Sequence, residues 1–232
     1  MTSLALAEEL LLLAYDDETG KATGSRIGLD LGMAAAVLIE LALAGRIALA
    51  DGGLLAAPGN EPTGDPIADD ALRRICADTP HTPASWVQRL RHGLRERVLA
   101  DLVGRGIVRE VDETALEFIP VHRYPAVDPA PEAEVRARLA AALTGGADLP
   151  PRTAALATLV AAARMEPTLN LPEGEAAKVR ARLEEIANSA GFAGTVSADT
   201  STVRPSVAIV VAALIRAVDT ALGALPADHP RR

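Results

Sequence analysis

Apolar residues recur at helical spacing along most of the chain and predict a mainly helical protein. The most informative stretch is 90–108, where four apolar residues return every fourth position, as on one face of a buried helix. These residues are Leu90, Leu94, Val98 and Leu102. Gly106 is placed to end this helix, and the β-favouring residues that follow it predict an extended segment.

The same spacing predicts helices at 4–15, 29–44, 66–79, 83–103, 132–143, 151–163, 173–190 and 205–222. A short strand is predicted at 46–50, and the weak alternation of 107–119 predicts a β-hairpin with its turn at 112–114. We expect irregular, proline-rich connections at 54–63 and 120–131.

Composition narrows the fold class further. The chain has 232 residues, of which 49% are hydrophobic but only 2% are aromatic, so aliphatic side chains must build the core. Few aromatic residues and short β-branched runs favour helices packed on helices. We therefore predict a mainly α fold: one globular helical domain at 1–225 with a short β-hairpin, followed by a disordered tail at 226–232.

The charge pattern contains one local exception to an acidic whole. The net charge is −8 and the pI is about 5.1, which argues against a nucleic-acid partner because such proteins usually present a basic surface. Arg91, His92, Arg95 and Arg97 nevertheless lie close together in the predicted helix. Arg91 and Arg95 would form one row along it, so any anion site is local; a solvated helix face is the simpler interpretation.

No motif predicts an enzyme. The four histidines are scattered, no phosphate-binding glycine loop follows a predicted strand, and we expect neither a cofactor nor a metal site. The single cysteine, Cys76, excludes an internal disulfide and is expected to be a small buried residue. Glu8 and Glu9 interrupt the N-terminal apolar run, unlike a signal peptide. The apolar segment 207–225 contains Arg216 and Asp219, which favours a buried helix over a membrane span.

Four segments carry a resemblance to a known family. They are LALAEELLLLAYDDETG, VLIELALAGRIAL, EPTGDPIADDALRRI and LRHGLRERVLADLVGRGIV, in this order along the chain. They resemble the Golgi phosphoprotein 3 family, and the resemblance extends over roughly residues 4–222. Its most specific parts are ELALAGR at 40–46, PTGD at 62–65 and RER at 95–97. The composition, rich in alanine and with arginine exceeding lysine, is typical of a high-GC, actinobacterial-type member.

The resemblance implies a mostly helical fold with an exposed hairpin. It also implies a peripheral membrane protein that binds phosphatidylinositol 4-phosphate and holds the cytoplasmic tails of glycosyltransferases. One headgroup-binding arginine of the family falls on Arg95, and another falls on His92, or on Arg91 if the preceding turn shifts by one residue. The family's tryptophan position falls near Ser25 and its second-helix arginine near Ala34. Half of that pocket is therefore changed, and a weaker, less selective headgroup site is expected.

The hairpin also departs from the family. Eukaryotic members have an apolar tip, whereas acidic residues surround the predicted tip of this chain. Carboxylates oppose insertion into an anionic leaflet, whose surface potential is negative. Leu116 and Phe118 alternate onto one face, so we expect them to contact a partner or a second copy of the chain rather than the bilayer.

These observations lead to a non-enzymatic peripheral protein that binds anionic lipid headgroups through Arg91, His92 and Arg95, or an adaptor, in the cytoplasm and on the inner face of the cell membrane. An alternative is a protein-interaction module whose acidic surface, including Asp69 and Asp70, holds basic peptide tails of membrane proteins. A third interpretation is a winged-helix-like regulator, because three predicted helices precede a hairpin.

Overall fold

The computed structural model describes residues 4–115, 119–145, 149–169, 175–192 and 205–224. Within these ranges the protein has nine α-helices and two antiparallel strand pairs, which confirms the mainly α prediction. The helices are α1 (Leu6–Leu13), α2 (Arg26–Leu43), α3 (Pro66–Ala77), α4 (Pro83–Leu90), α5 (Leu94–Gly104), α6 (Ala130–Thr144), α7 (Pro151–Ala162), α8 (Ala176–Ser189) and α9 (Pro205–Gly223). The strands are β1 (Ala48–Ala50), β2 (Leu54–Ala56), β3 (Val111–Ala115) and β4 (Ile119–Arg123).

Helix α2 lies at the centre of the core and packs against α1, α3, α4, α7 and α9. Small residues allow this crowding. A Cβ atom added at Gly28 would lie 2.3 Å from the carbonyl oxygen of Ala163, and one at Gly32 would lie 3.1 Å from the Ala163 side chain. The glycines of α2 therefore let the end of α7 approach its backbone closely.

Helix α9 is long and apolar enough to cross a membrane, but half of its 206–223 segment is buried within the protein. It packs against α2, α4 and α7. Val211, Leu214 and Val218 on its inner face are fully buried. This placement agrees with the predicted buried helix.

The prediction of one continuous helix at 83–103 is wrong, because this segment forms two helices, α4 and α5. Gly93 separates α4 from α5 with a left-handed backbone (φ 70°, ψ 3°), a conformation that favours glycine. The four residues of the apolar row are nevertheless all buried, from Leu90 and Leu94 at 5% and 4% exposure to Val98 and Leu102 at 0%. The turn at Gly93 lets the row remain in the core although the helix changes direction.

The strands differ from the prediction in two places. The predicted loop at 54–63 begins with β2, which pairs with β1. The predicted hairpin turn at 112–114 lies instead within β3, where Asp112 is opposite His122. Pro120, placed in an irregular connection by the sequence, lies in β4, an edge strand that tolerates proline because no third strand needs its missing N–H.

The predictions for the hairpin tip and for the single cysteine have different outcomes. Leu116 and Phe118 lie outside the described residues, as does the predicted tail at 226–232. Cys76 is exposed, which contradicts its predicted burial. Helix α3 buries Ala71, Leu72 and Ile75, and Cys76 follows one position past this face.

The loop between α1 and α2 is held against the segment that follows β4. The Tyr124 N–H donates to the Gly20 carbonyl at 3.0 Å, and the Ala126 N–H donates to the Asp17 carbonyl at 3.0 Å. Gly20 has a φ of 64°, and a Cβ atom there would lie 2.3 Å from the Pro125 nitrogen. The loop therefore docks on the base of the β3–β4 hairpin.

Two adjacent carboxylates of α1 are buried, although their charge suggested an interruption of an apolar helix. Glu8 is 3% exposed and Glu9 is 2% exposed. Arg105 donates to Glu8 at 2.6 Å, while Arg138 and Arg152 reach Glu9 at 2.5 and 3.3 Å. Buried carboxylates persist when they are paired and hydrogen-bonded, and these arginines come from the ends or middle of three distant elements.

Glu132, in the first turn of α6, is a third buried carboxylate, at 4% exposure. Burial and a hydrogen bond with Asp17 raise the pKa of Glu132 to about 8, although Arg136 at 2.6 Å opposes the rise. Glu132 therefore holds a proton near neutral pH, and it donates that proton in the hydrogen bond to Asp17 of the docked loop.

We predict that Glu9→Ala lowers the free energy of unfolding by about 3 kcal/mol, because it leaves two arginines without their shared buried partner. Urea denaturation measures this. The matched control is Glu61→Ala, since Glu61 accepts from Arg46 at 2.6 Å but is 78% exposed. That surface pair should contribute less than about 1 kcal/mol. Equal losses in the two variants would show that the α1 pair is not structurally special.

The Glu132 pKa predicts a pH dependence of stability. Between pH 4.5 and about 8 the folded state keeps a proton on Glu132 that the unfolded chain has released, so stability falls as pH rises through this window. Glu132→Gln should remove this slope, so that its free energy of unfolding rises relative to that of the wild type by about 3 kcal/mol from pH 5 to pH 8. Exposed Glu134→Gln on the same helix should leave the slope unchanged. A wild-type slope retained in Glu132→Gln would contradict the assignment.

Candidate functional site: a cationic cluster beside the α4–α5 turn

The turn 91–93 determines where the predicted basic residues lie. Arg91 ends α4 with helical dihedral angles, Gly93 reverses the backbone, and Arg95 lies in the first turn of α5. Arg91 and Arg95 therefore do not form one row on a continuous helix, as the spacing predicted. His92 is exposed in the turn itself.

Arg95 is buried, at 8% exposure, and faces two acids. Its guanidinium nitrogens lie 3.6 Å from Asp30 Oδ1 and 3.6 Å from Glu96 Oε1. These separations exceed a good charge-assisted hydrogen bond, which is about 2.7–2.9 Å. Arg95 is therefore held in place by electrostatic attraction without being fully hydrogen-bonded to either acid.

The first turns of α2 contribute the other side of the cluster. Burial raises the pKa of Asp30 and that of Tyr15, and in both cases Arg95 and then Arg26 oppose the rise. Arg26 is exposed at the start of α2, one turn before Asp30. The field at Asp30 and Tyr15 thus comes from arginines of two different helices.

Arg91 adds a third guanidinium to the same region, because it also lowers the pKa of Asp30. Its Nε is buried and makes no hydrogen bond with the described residues, and no described acid lies within 4 Å of it. Asp30 Oδ1 is likewise buried without a hydrogen bond. A donor and an acceptor are therefore both left unsatisfied in the cluster, which is costly unless another polar group reaches them.

This arrangement has the chemistry of an anion-binding site in which carboxylates of the protein compete with the ligand for the arginines. Arg26, Arg91 and Arg95 supply three positive charges, while Asp30 and Glu96 supply two negative ones. Guanidinium groups bind phosphate oxygens in pairs of charge-assisted hydrogen bonds. A phosphate that approaches Arg95 must compete with Asp30 for it.

The sequence did not reveal three members of this cluster: Tyr15, Arg26 and Asp30. Arg26 and Asp30 have the i,i+4 spacing of one helix face, which is the signal that could have found them. The predicted helix began at 29 rather than at Arg26, so that spacing was not recognised. Tyr15 approaches only through the fold of the α1–α2 loop.

The two changed family positions have structural roles here. The Ser25 hydroxyl accepts from the Gly28 N–H at 3.1 Å and caps α2. Ala34 is fully buried, so its position faces the core and not a surface pocket.

The remaining predicted charges are used within the protein. Asp69 accepts from the Thr63 N–H and hydroxyl at 2.6 and 2.7 Å. Asp70 pairs with Arg73 and with Arg97, each at 2.9 Å. Asp69 and Asp70 therefore do not mark an open acidic surface. With Arg95 buried and Arg97 paired, α5 also lacks the free basic face that a DNA-recognition helix needs.

Comparison with known proteins agrees with this architecture. The family model described as Golgi phosphoprotein 3 (GPP34) matches residues 6–221, nearly the whole chain. The chain belongs to the Golgi phosphoprotein 3 family. It is 26% identical over 165 residues to the "Vacuolar protein sorting-associated protein 74" of Eremothecium gossypii, a match that covers 61% of this chain and 49% of that protein. The chain thus spans about half the length of this curated relative. The family match also confirms the predicted mainly helical fold of the Golgi phosphoprotein 3 type.

We predict that Gly93→Ala lowers stability by about 1 kcal/mol, because the left-handed backbone at Gly93 disfavours a side chain. Open space surrounds the position, so backbone strain is the only cause of the loss. Gly104→Ala is the matched control, since Gly104 is helical and equally unobstructed. It should be neutral or stabilising. Chemical denaturation compares the two, and a neutral Gly93→Ala would contradict the assigned turn.

Proposed function

We propose that this family member is a non-enzymatic peripheral membrane protein that binds anionic phospholipid headgroups through Arg91, His92 and Arg95, assisted by Arg26. It acts in the cytoplasm, on the inner face of the cell membrane. The observation that carries the proposal is the convergence of three arginines from three helices, α2, α4 and α5, in an otherwise acidic protein.

Local geometry supports a phosphate ligand. Arg91 has a buried Nε without a hydrogen bond, and Arg95 holds its acids at 3.6 Å. Both guanidinium groups therefore have donors that a phosphate could satisfy. Exposed Arg26 and His92 lie at the outer side, where they would meet the headgroup first.

The net negative charge of the protein determines which of its faces can approach an anionic membrane. A net charge of −8 is repelled by an anionic leaflet, so only the face that carries the cluster can approach it favourably. The screening length at physiological salt is about 8 Å, so charges on the opposite face act weakly there. Membrane binding should therefore be weak, salt-sensitive and specific to this face.

Phosphatidylinositol 4-phosphate is the headgroup that family membership suggests, and its phosphomonoester matches the preference of guanidinium groups for phosphate. Ser25 and Ala34 replace two of the family's contacts, and Asp30 competes for Arg95. We therefore expect a weaker, less selective preference that extends to other anionic lipids. Basic tails of membrane proteins are the family's other partner class, and an adaptor role beside lipid binding remains part of the proposal. A homo-oligomer through the hairpin remains a prediction.

Vesicle flotation tests the proposal with neutral phosphatidylcholine vesicles, with phosphatidylglycerol vesicles and with vesicles that contain phosphatidylinositol 4-phosphate. Arg91→Glu should reduce partitioning onto both anionic vesicles by roughly ten-fold or more, since it removes at least one charge-assisted interaction. Asp30→Asn should increase partitioning, because it frees Arg95 from its competing carboxylate. Higher salt should weaken binding by the wild type.

Arg216→Glu serves as the control, because Arg216 is an exposed arginine on α9. It makes the same charge change away from the cluster. Arg216 is exposed and Arg91 is partly exposed at the end of α4, and circular dichroism verifies that both variants fold. Equal recovery of the wild type on neutral and anionic vesicles, or equal losses in the two arginine variants, would refute a localised lipid site.

A further inference from the structure

The base of the β3–β4 hairpin gathers metal-ligating side chains from both of its sides, with His122 lying 10 residues after Asp112 in the chain. Asp112 is directly opposite His122 in the strand register. Glu110 just before β3 and Tyr124 just after β4 each lie two residues from this pair, and their side chains meet on the same side, where the Tyr124 hydroxyl lies 3.0 Å from Glu110 Oε1. We propose that Glu110, Asp112 and His122 form a surface binding site for a zinc ion. The proposal stands on the hairpin geometry and is independent of lipid binding.

The ligand atoms are already close together. His122 Nδ1 lies 2.7 Å from Asp112 Oδ1 and 3.3 Å from Glu110 Oε1, and all three ligand atoms lie within 4.8 Å of one another. Ligand atoms held at about 2.0–2.1 Å on a tetrahedral zinc ion are roughly 3.3 Å apart. The Glu110–His122 separation of 3.3 Å already fits this spacing, whereas the Asp112–His122 separation of 2.7 Å must widen by about 0.6 Å, which side-chain rotation at Asp112 can provide.

A neighbouring hydroxyl orients one of the ligands. Tyr124 donates its O–H to Glu110 Oε1 at 3.0 Å, and its ring contacts that of Tyr15 edge-on, with 5.9 Å between centroids. Such outer contacts fix ligand orientation in metal sites and affect affinity by about 10–100-fold.

The donor set selects the metal. One imidazole with two carboxylates suits zinc, whereas calcium and magnesium require oxygen ligands, and calcium needs about six to eight of them. Three protein ligands leave a fourth position to water or to another donor. Glu110 immediately precedes β3, Asp112 lies in β3 and His122 lies in β4. A bound ion would therefore link the two strands through coordination bonds.

The same geometry has a metal-free explanation, in which the His122 imidazole simply contacts the carboxylates of Asp112 and Glu110. Such exposed pairs contribute little to stability. Zinc titration separates the two explanations. The experiment uses the full chain with Cys76→Ser, because an exposed thiol such as that of Cys76 can itself coordinate zinc.

Isothermal titration of this protein with zinc chloride should give one site per chain, and magnesium chloride should give none at the same concentrations. Asp112→Asn and His122→Gln should each abolish the site, and Tyr124→Phe should weaken it by about ten-fold. Saturating zinc should also raise the thermal midpoint, because a ligand that binds only the folded state stabilises it. All three positions are at least partly exposed, so the variants should fold, which circular dichroism verifies.

Glu113→Gln is the matched control, since Glu113 is an exposed carboxylate of β3 next to Asp112 whose side chain lies on the opposite face and pairs with Arg123 at 2.7 Å. It should leave zinc binding and the thermal shift unchanged. Absence of zinc binding by the wild type would overturn the proposal and leave the ion-pair explanation. Zinc binding that persists in both Asp112→Asn and His122→Gln would assign the ion to another surface and overturn it equally.

Discussion

The burial of the Glu8 and Glu9 carboxylates in α1 is the constraint on which the rest of the structure depends. A buried carboxylate without partners costs several kcal/mol, so each must find cations before the core can close. Those cations are 97, 129 and 143 residues away in sequence, at Arg105, Arg138 and Arg152. Arg152 also binds Glu40 of α2 and the Leu4 carbonyl. The pairs therefore orient α5, α6 and α7 around α1, where purely aliphatic packing would leave the helices free to slide.

The candidate site follows from this arrangement. Arg105 fixes the end of α5, and the Gly93 turn fixes its beginning, so Arg95 is positioned against Asp30 of α2. The Arg95–Asp30 contact resembles the core pairs in using an arginine against a partly buried acid. It differs in its longer separation of 3.6 Å and in the unsatisfied Asp30 Oδ1 and Arg91 Nε beside it. A fully satisfied pair has no donors to offer a ligand, whereas this cluster does.

The hairpin and the α1–α2 loop form a second unit that depends on the first. Gly20 and Asp17 dock the loop onto the residues after β4, and the Asp17–Glu132 hydrogen bond connects it to α6. Tyr15 and Tyr124 contact each other across this junction. Burial raises the pKa of Tyr15 and the positive charge of Arg95 opposes that rise, while the Tyr124 hydroxyl donates a hydrogen bond to Glu110 at the proposed zinc site. The loop thus separates two polar surfaces of opposite character, one cationic and one anionic.

The sequence by itself determined the helical class, the buried row from Leu90 to Leu102 and the family, because each depends on local periodicity or on contiguous motifs. It also predicted a binding site at Arg91, His92 and Arg95, which stays a prediction. It could not determine that Gly93 breaks the helix, since a single glycine is compatible with both a continuous helix and a turn. Nor could it place Asp30 beside Arg95, Glu9 in the core or His122 opposite Asp112. Those juxtapositions join residues far apart in the chain, and only the packing of the helices and the register of the strands decide which charges meet.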